Sequence, residues 1–164
     1  MKLIYLSLIL AYVIGCKPAE TNFNETIEIL DDFSLLQERI DAEKDKTIVV
    51  NFWATTCGPC IKEMPHFREL ENQYKATDLK VLLVSLDLPR DHEKRVLPFI
   101  VKHDIQPEVL HLTDENYSKW TDQIDSSWYG ALPATKIING DQSTFKFGMY
   151  ESLEEIKQDI ESVK

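Results

Sequence analysis

Thr47 to Trp53 is a run of seven residues without a charge, rich in β-branched and aromatic side chains, as expected of a strand buried on both faces. Helical spacing surrounds it. Upstream, Thr26 to Leu30 reads as a short strand, and Phe33, Leu36 and Ile40 recur three and four residues apart behind the capping candidates Asp31 and Asp32. Downstream, Ile61, Met64, Phe67, Leu70 and Tyr74 predict a helix from Cys60 to about Tyr74. Pro65 lies inside it and should bend it, because proline removes one backbone hydrogen bond.

The alternation continues. Lys80 to Asp87, with Leu79 leading, is a second buried strand; Arg90 to His103 is helical, with Val96, Phe99 and Ile100 on one face and a distortion at Pro98. Val109 to Leu112 is another strand, and Asp114 or Thr113 is positioned to cap a helix that carries Tyr117, Trp120 and Ile124. Thr135 to Ile138 and Ser143 to Phe147 then flank Asn139-Gly140-Asp141-Gln142, a tight-hairpin signal. Leu153, Ile156, Ile160 and Val163 mark a closing amphipathic helix. Strand and helix in alternation predict an α/β domain with a largely parallel sheet.

At 164 residues the chain has room for one domain and a targeting segment. Met1-Lys2 starts positive, Leu3 to Ile14 is apolar except for Ser7, and Val13-Ile14-Gly15-Cys16 ends the run. That order resembles the lipobox of bacterial lipoproteins, with residues 1–15 a signal peptide and Cys16 the acylated first residue. A plain membrane span is the rival reading, but about 13 residues reach only about 20 Å of a hydrocarbon core of about 30 Å. Residues 16–24, polar and containing Pro18, read as a lipidated tether, and residues 25–164 as the folded domain. These features predict a cell-envelope protein, anchored to a bacterial membrane through lipid and facing the periplasm or exterior, where disulfides persist. The net charge of −10 argues against nucleic acid as a partner.

The candidate chemistry lies in Cys57-Gly58-Pro59-Cys60, where the apolar strand runs into two cysteines at a helix start. The unpaired amides and dipole of a helix N-terminus favour an anion, and a thiolate is the nucleophile of disulfide exchange. A cysteine pair can also supply half of a zinc or copper site. The sequence holds no second pair, and His66, His92, His103 and His111 have no zinc-finger spacing to this one, so each histidine reads as a surface residue and no metal is expected.

The run Phe52-Trp53-Ala54-Thr55-x-Cys57-Gly58-Pro59-Cys60, with Glu63, Pro65 and a later Leu132-Pro133-Ala134-Thr135 before the hairpin, resembles the membrane-anchored thioredoxin-like thiol-disulfide oxidoreductases of the TlpA and ResA group. The resemblance covers roughly residues 26–163. It implies a three-layer α/β/α fold with a central mixed sheet, and a redox-active disulfide between Cys57 and Cys60. By the same resemblance Cys57 is the attacking thiolate and Cys60 the resolving thiol, Trp53 walls the site, and Gly58-Pro59 is the dipeptide of reducing members. Leu132-Pro133 would hold a cis bond opposite the cysteines, where backbone groups pair with an extended substrate. No cofactor is implied. The implied partners are disulfide-containing protein substrates, apocytochrome cysteines in cytochrome c maturation among them, and a membrane dithiol electron donor.

Two departures from the family pattern stand out. Asn51 occupies the place where cytoplasmic-type thioredoxins carry a buried aspartate that manages the resolving cysteine's proton, and an amide cannot take up that proton. Glu63, one turn beyond Cys60 on the same helix face, is the available substitute; the bland alternative is a solvated surface acid. The other departure is residues 91–127, which predict an inserted strand and helix before the cis-proline. Thiol peroxidases share the fold but resemble a pattern with threonine three residues before the reactive cysteine, where this chain has Ala54. A non-catalytic binding module or copper-handling protein is the alternative from a different class. Trp120, Trp128 and Tyr129 read as core or site-rim residues.

Overall fold

The computed structural model describes residues 27–74 and 77–164. The signal segment, Cys16, the tether and the expected domain start at Glu25 lie outside the described residues. In chain order the elements are β1 (Glu28–Leu30), α1 (Phe33–Asp41), β2 (Thr47–Trp53), α2 (Gly58–Tyr74), β3 (Leu79–Ser85), α3 (Leu97–His103), β4 (Glu108–Leu112), α4 (Tyr117–Ile124), β5 (Ala134–Asn139), β6 (Gln142–Phe147) and α5 (Leu153–Ser162). A 3₁₀ turn at Pro89–Asp91 and a π turn at His92–Val96 lead into α3. The distortion expected at Pro98 takes this form: proline in the first turn of α3 has no amide to donate, so regular α geometry begins only there.

The sheet runs β1-β4-β3-β2-β5-β6, with β1, β4, β3 and β2 parallel, β5 antiparallel to β2, and β6 antiparallel to β5. Side-chain alternation along β2 assigns the two faces. Ile48, Val50 and Phe52 join Leu82, Val84, Leu110 and Leu112 beneath α1 and α4, where Trp120 and Trp128 fill the layer. Val49 and Trp53 join Val81, Leu83 and Ile137 beneath α2, α3 and α5. This is the three-layer α/β/α arrangement with a mixed sheet. The inserted β4 lies between β1 and β3, and α4 follows it.

Two local expectations are corrected. Neither Asp114 nor Thr113 caps α4, whose N-cap is Asn116. Asp114 instead accepts from the Phe33 amide at 3.2 Å and the Asn116 amide at 2.9 Å, joining α4 to the start of α1, while Thr113 donates its hydroxyl to the Leu30 carbonyl. His111 is fully buried rather than on the surface, because β4 is an interior strand covered on both sides. The caps of α1 and α5 are conventional, with Asp32 accepting from Ser34 and Ser152 from Glu155.

Candidate active site

The register of the sheet brings polar residues together at the C-terminal ends of its central strands. On the α2 and α3 face, Trp53 of β2 lies beside Ser85 of β3, and Ser85 beside His111 of β4. Asn51 pairs with Thr135 of β5 across the neighbouring register position. Ligand sites of parallel sheets form at this end of the strands, and α2 starts here.

Cys57 and Cys60 form a disulfide with an S–S distance of 1.97 Å and Cα atoms 5.3 Å apart. Cys57 stands just before Gly58, the first residue of α2, and its Sγ accepts the Cys60 amide at 3.2 Å. The sulfur thus takes the part of an N-cap side chain, and a thiolate in the same place would receive that amide as a charge-assisted bond. The two sulfurs differ in access. Cys57 is half-buried, and Cys60 has no exposed surface at all. Gly58 and Pro59 are exposed at the tip, and the buried Trp53 packs in the same cluster as both cysteines. Leu132, whose bond to Pro133 is cis, touches that cluster too. Pro133 donates no amide, but its carbonyl accepts from Gly148 at 2.8 Å.

Glu63 is no surface acid. It is fully buried, its Oε1 accepts from Asn51 Nδ2 at 2.9 Å, and its Oε2 accepts from the Tyr150 amide at 2.8 Å. Burial pushes its carboxyl from the ordinary 4.5 up to about 7, against the opposing pull of the two amide donors and of Lys146. Asn51 also donates to Thr135 Oγ1 at 3.0 Å, while its own Oδ1 and the Trp53 Nε1 are buried without a partner among the described residues. Tyr150 donates its hydroxyl to Asp159 at 2.7 Å, and burial raises its ionisation further.

A second buried carboxyl, absent from the sequence-derived site, stands on the other side of the loop. Asp87 accepts from the Thr55 amide at 2.9 Å, the Thr55 hydroxyl at 2.6 Å and the Ser85 hydroxyl at 2.9 Å. Its carbonyl receives His111 Nε2 at 2.8 Å. Because a carbonyl only accepts, Nε2 carries a proton; in neutral His111 the Nδ1 is then an acceptor, and His92 Nδ1, 2.7 Å away, must donate to it. Burial and the neighbouring His111 hold His92 below the ordinary imidazole range. The signal available in the sequence was a pair of apolar strands with polar residues near their ends, Ser85-x-Asp87 and His111.

Among the described residues, no three His, Cys, Asp or Glu side chains converge as a metal site. No helix there is long and apolar enough to cross a membrane. Trp128 is core, donating to the Ala131 carbonyl at 2.8 Å, and Tyr129 is exposed and packs edge-on against Phe147.

The sequence profile of the AhpC/TSA family matches residues 28–143. A thiol-disulfide oxidoreductase, ResA, from Geobacillus thermodenitrificans is 29% identical over 143 residues, covering 83% of this chain and 74% of its own. The thioredoxin-like protein YneN of Bacillus subtilis is 34% identical over 84 residues, covering 48% of this chain and 49% of its own. Among solved structures, a thioredoxin-related protein from Neisseria meningitidis serogroup B superposes with a TM-score of 0.63 at 20% identity, over 73% of this chain and 86% of its own. StoA from Bacillus subtilis gives 0.56 at 20% identity, over 70% and 82%.

Proposed function

The chain belongs to the AhpC/TSA family, and we propose that it is a lipid-anchored, extracytoplasmic thiol-disulfide oxidoreductase that reduces protein disulfides through Cys57 and Cys60. The observation that carries this reading is the asymmetry of the pair. An accessible sulfur at a helix N-terminus can meet a partner, and a buried one three residues on can only meet the first.

The reaction follows thiol exchange. In the reduced protein the Cys57 thiolate attacks one sulfur of a substrate disulfide; a Cys57–substrate bond forms, and the other substrate sulfur leaves as a thiolate. Cys60 then gives up its proton, and its thiolate attacks Cys57 Sγ, closing the intramolecular disulfide and releasing the second substrate sulfur. Two electrons pass to the substrate, and its thiolates collect protons from solvent. Glu63, titrating near 7, is suited to take the Cys60 proton at neutral pH, the task for which Asn51 has no basic site. A membrane dithiol donor would return the protein to the reduced state. Lipid on Cys16 would keep donor and acceptor close, as the lipobox-like Val13-Ile14-Gly15-Cys16 suggests.

Family membership alone leaves room for peroxidase chemistry, but Ala54 and the resolving cysteine within one helical turn favour disulfide exchange. Trapping tests the reading. In Cys60→Ser the mixed disulfide on Cys57 has no internal resolver, so client proteins should accumulate on the variant in the cell envelope and be released by dithiothreitol. An empty trap, beside stoichiometric copper binding by the wild type, would favour the binding module instead.

A further inference from the structure

The segment that leads into α3 forms, with the active loop, an open groove of about 280 Å³ lined by Thr55, Arg95, Pro98, Phe99, Lys102 and His103. Its position is fixed from both sides. Thr55, two residues before Cys57, is clasped by Asp87 through amide and hydroxyl. Phe99 lies with its ring 5.1 Å from Trp53 and 4.2 Å from His103. The groove therefore adjoins the active loop through Thr55, and Phe99 ties it to Trp53, which packs in the same cluster as the cysteines.

Its charge is opposite to that of the protein as a whole. The chain carries a net charge of −10, yet the three titratable side chains of the groove are Arg95, Lys102 and His103. Arg95 reaches Asp91 through Nε at 3.5 Å, which leaves its terminal amino groups outside that pair. Lys102 makes no ion pair among the described residues. Asp87 is held by Thr55 and Ser85, and Asp104 by the Gln106 amide at 2.7 Å, which leaves Asp91 as the acid paired with a groove cation.

We propose that this groove is a subsite for an acidic side chain of the protein substrate, an Asp or Glu close in sequence to the cysteine that Cys57 attacks. The inference rests on the exchange reaction proposed above. Positive charge beside the active loop in an otherwise acidic protein steers an acidic segment to this face, and Phe99 and Pro98 supply an apolar floor for its methylenes. The inserted region would thereby contribute to substrate choice through its first helix.

The test uses the reduced full chain and two disulfide-bonded peptides, identical except for glutamate or lysine beside the cysteine, with neutral 2-hydroxyethyl disulfide as a third substrate. At low salt the glutamate peptide should react about tenfold faster than the lysine peptide, the lower range of electrostatic steering. The ratio should fall toward one in 0.5 M salt and to one or below in Lys102→Glu. A ratio near one at low salt, or one that Lys102→Glu leaves unchanged, overturns the subsite. Because the readout is a ratio, loss of overall activity in the variant does not disturb it, and the salt series needs no variant at all. If none of the three disulfides is reduced, the exchange reading fails instead. The groove is then judged by NMR titration of the glutamate peptide, where unperturbed Phe99 and His103 resonances would reject it.

Discussion

Two buried carboxyls flank the active loop, and they are held in opposite ways. Glu63, behind Cys60, receives two amide donors in a site closed by Asn51, Thr135 and the backbone of Tyr150, and burial outweighs those donors. Asp87, beside the segment ahead of Cys57, receives an amide and two hydroxyls, all from the loop and strand that it pins. The difference teaches that two carboxyls buried near one loop can be put to different uses by the donors around them. Asp87 takes three donors and works as a clasp on Thr55. Glu63 takes two and is poised to gain or lose a proton near neutrality.

The comparison can be broken by removing each group. Asp87→Ala should cost ~3 kcal/mol of stability, because the Thr55 amide and two hydroxyls lose their shared acceptor. Denaturant unfolding of the oxidised protein measures it, and a loss under about 0.5 kcal/mol would reduce the clasp to a surface contact. Glu63→Gln should act through pH. A carboxyl raised from 4.5 to about 7 in the fold contributes its full stabilisation below pH 4.5 and gives it up as pH climbs through 7. Relative to wild type, Glu63→Gln should therefore gain up to about 3 kcal/mol between pH 4.5 and pH 8, with any constant cost of the substitution cancelling. A flat difference across that range would place the Glu63 titration elsewhere.

The smallest effect sharpens the clasp side. His92 has its pKa lowered in the fold, so its contribution is present above about 6.5 and is lost as pH falls below that value. In His92→Gln that acid-side loss should shrink by less than about 1 kcal/mol, since His92 is only half-buried and solvent screens it. NMR titration of the His92 and His111 ring protons would follow the same pair directly.

What the sequence made legible follows from how local each signal was. The strand Thr47–Trp53 matched residue for residue because an uncharged, β-branched run has one comfortable home, and Asn139-Gly140 placed the hairpin because Gly140 takes φ +56°. Glu63 could be singled out by spacing from Cys60, but its burial depends on Tyr150, 87 residues later, which arrives only after Gly148 turns the chain back from the hairpin. Asp87 and His111 were missed for a related reason. Nothing near them in the chain says that β4 will slot between β1 and β3, and only that insertion brings His111 against the Asp87 carbonyl and His92.

The central claim is that Cys57 is an accessible, activated thiolate and that Glu63 tunes the pair. The rate of iodoacetamide alkylation of the reduced protein, followed from pH 5 to pH 10 with modification at Cys57 and Cys60 resolved by mass spectrometry, tests it most directly. The account predicts selective modification of Cys57, a midpoint below the ordinary thiol value of about 8.5, and an additional inflection near pH 7 that disappears in Glu63→Gln. Equal modification of both cysteines, or a single midpoint above about 9 in both proteins, would contradict it.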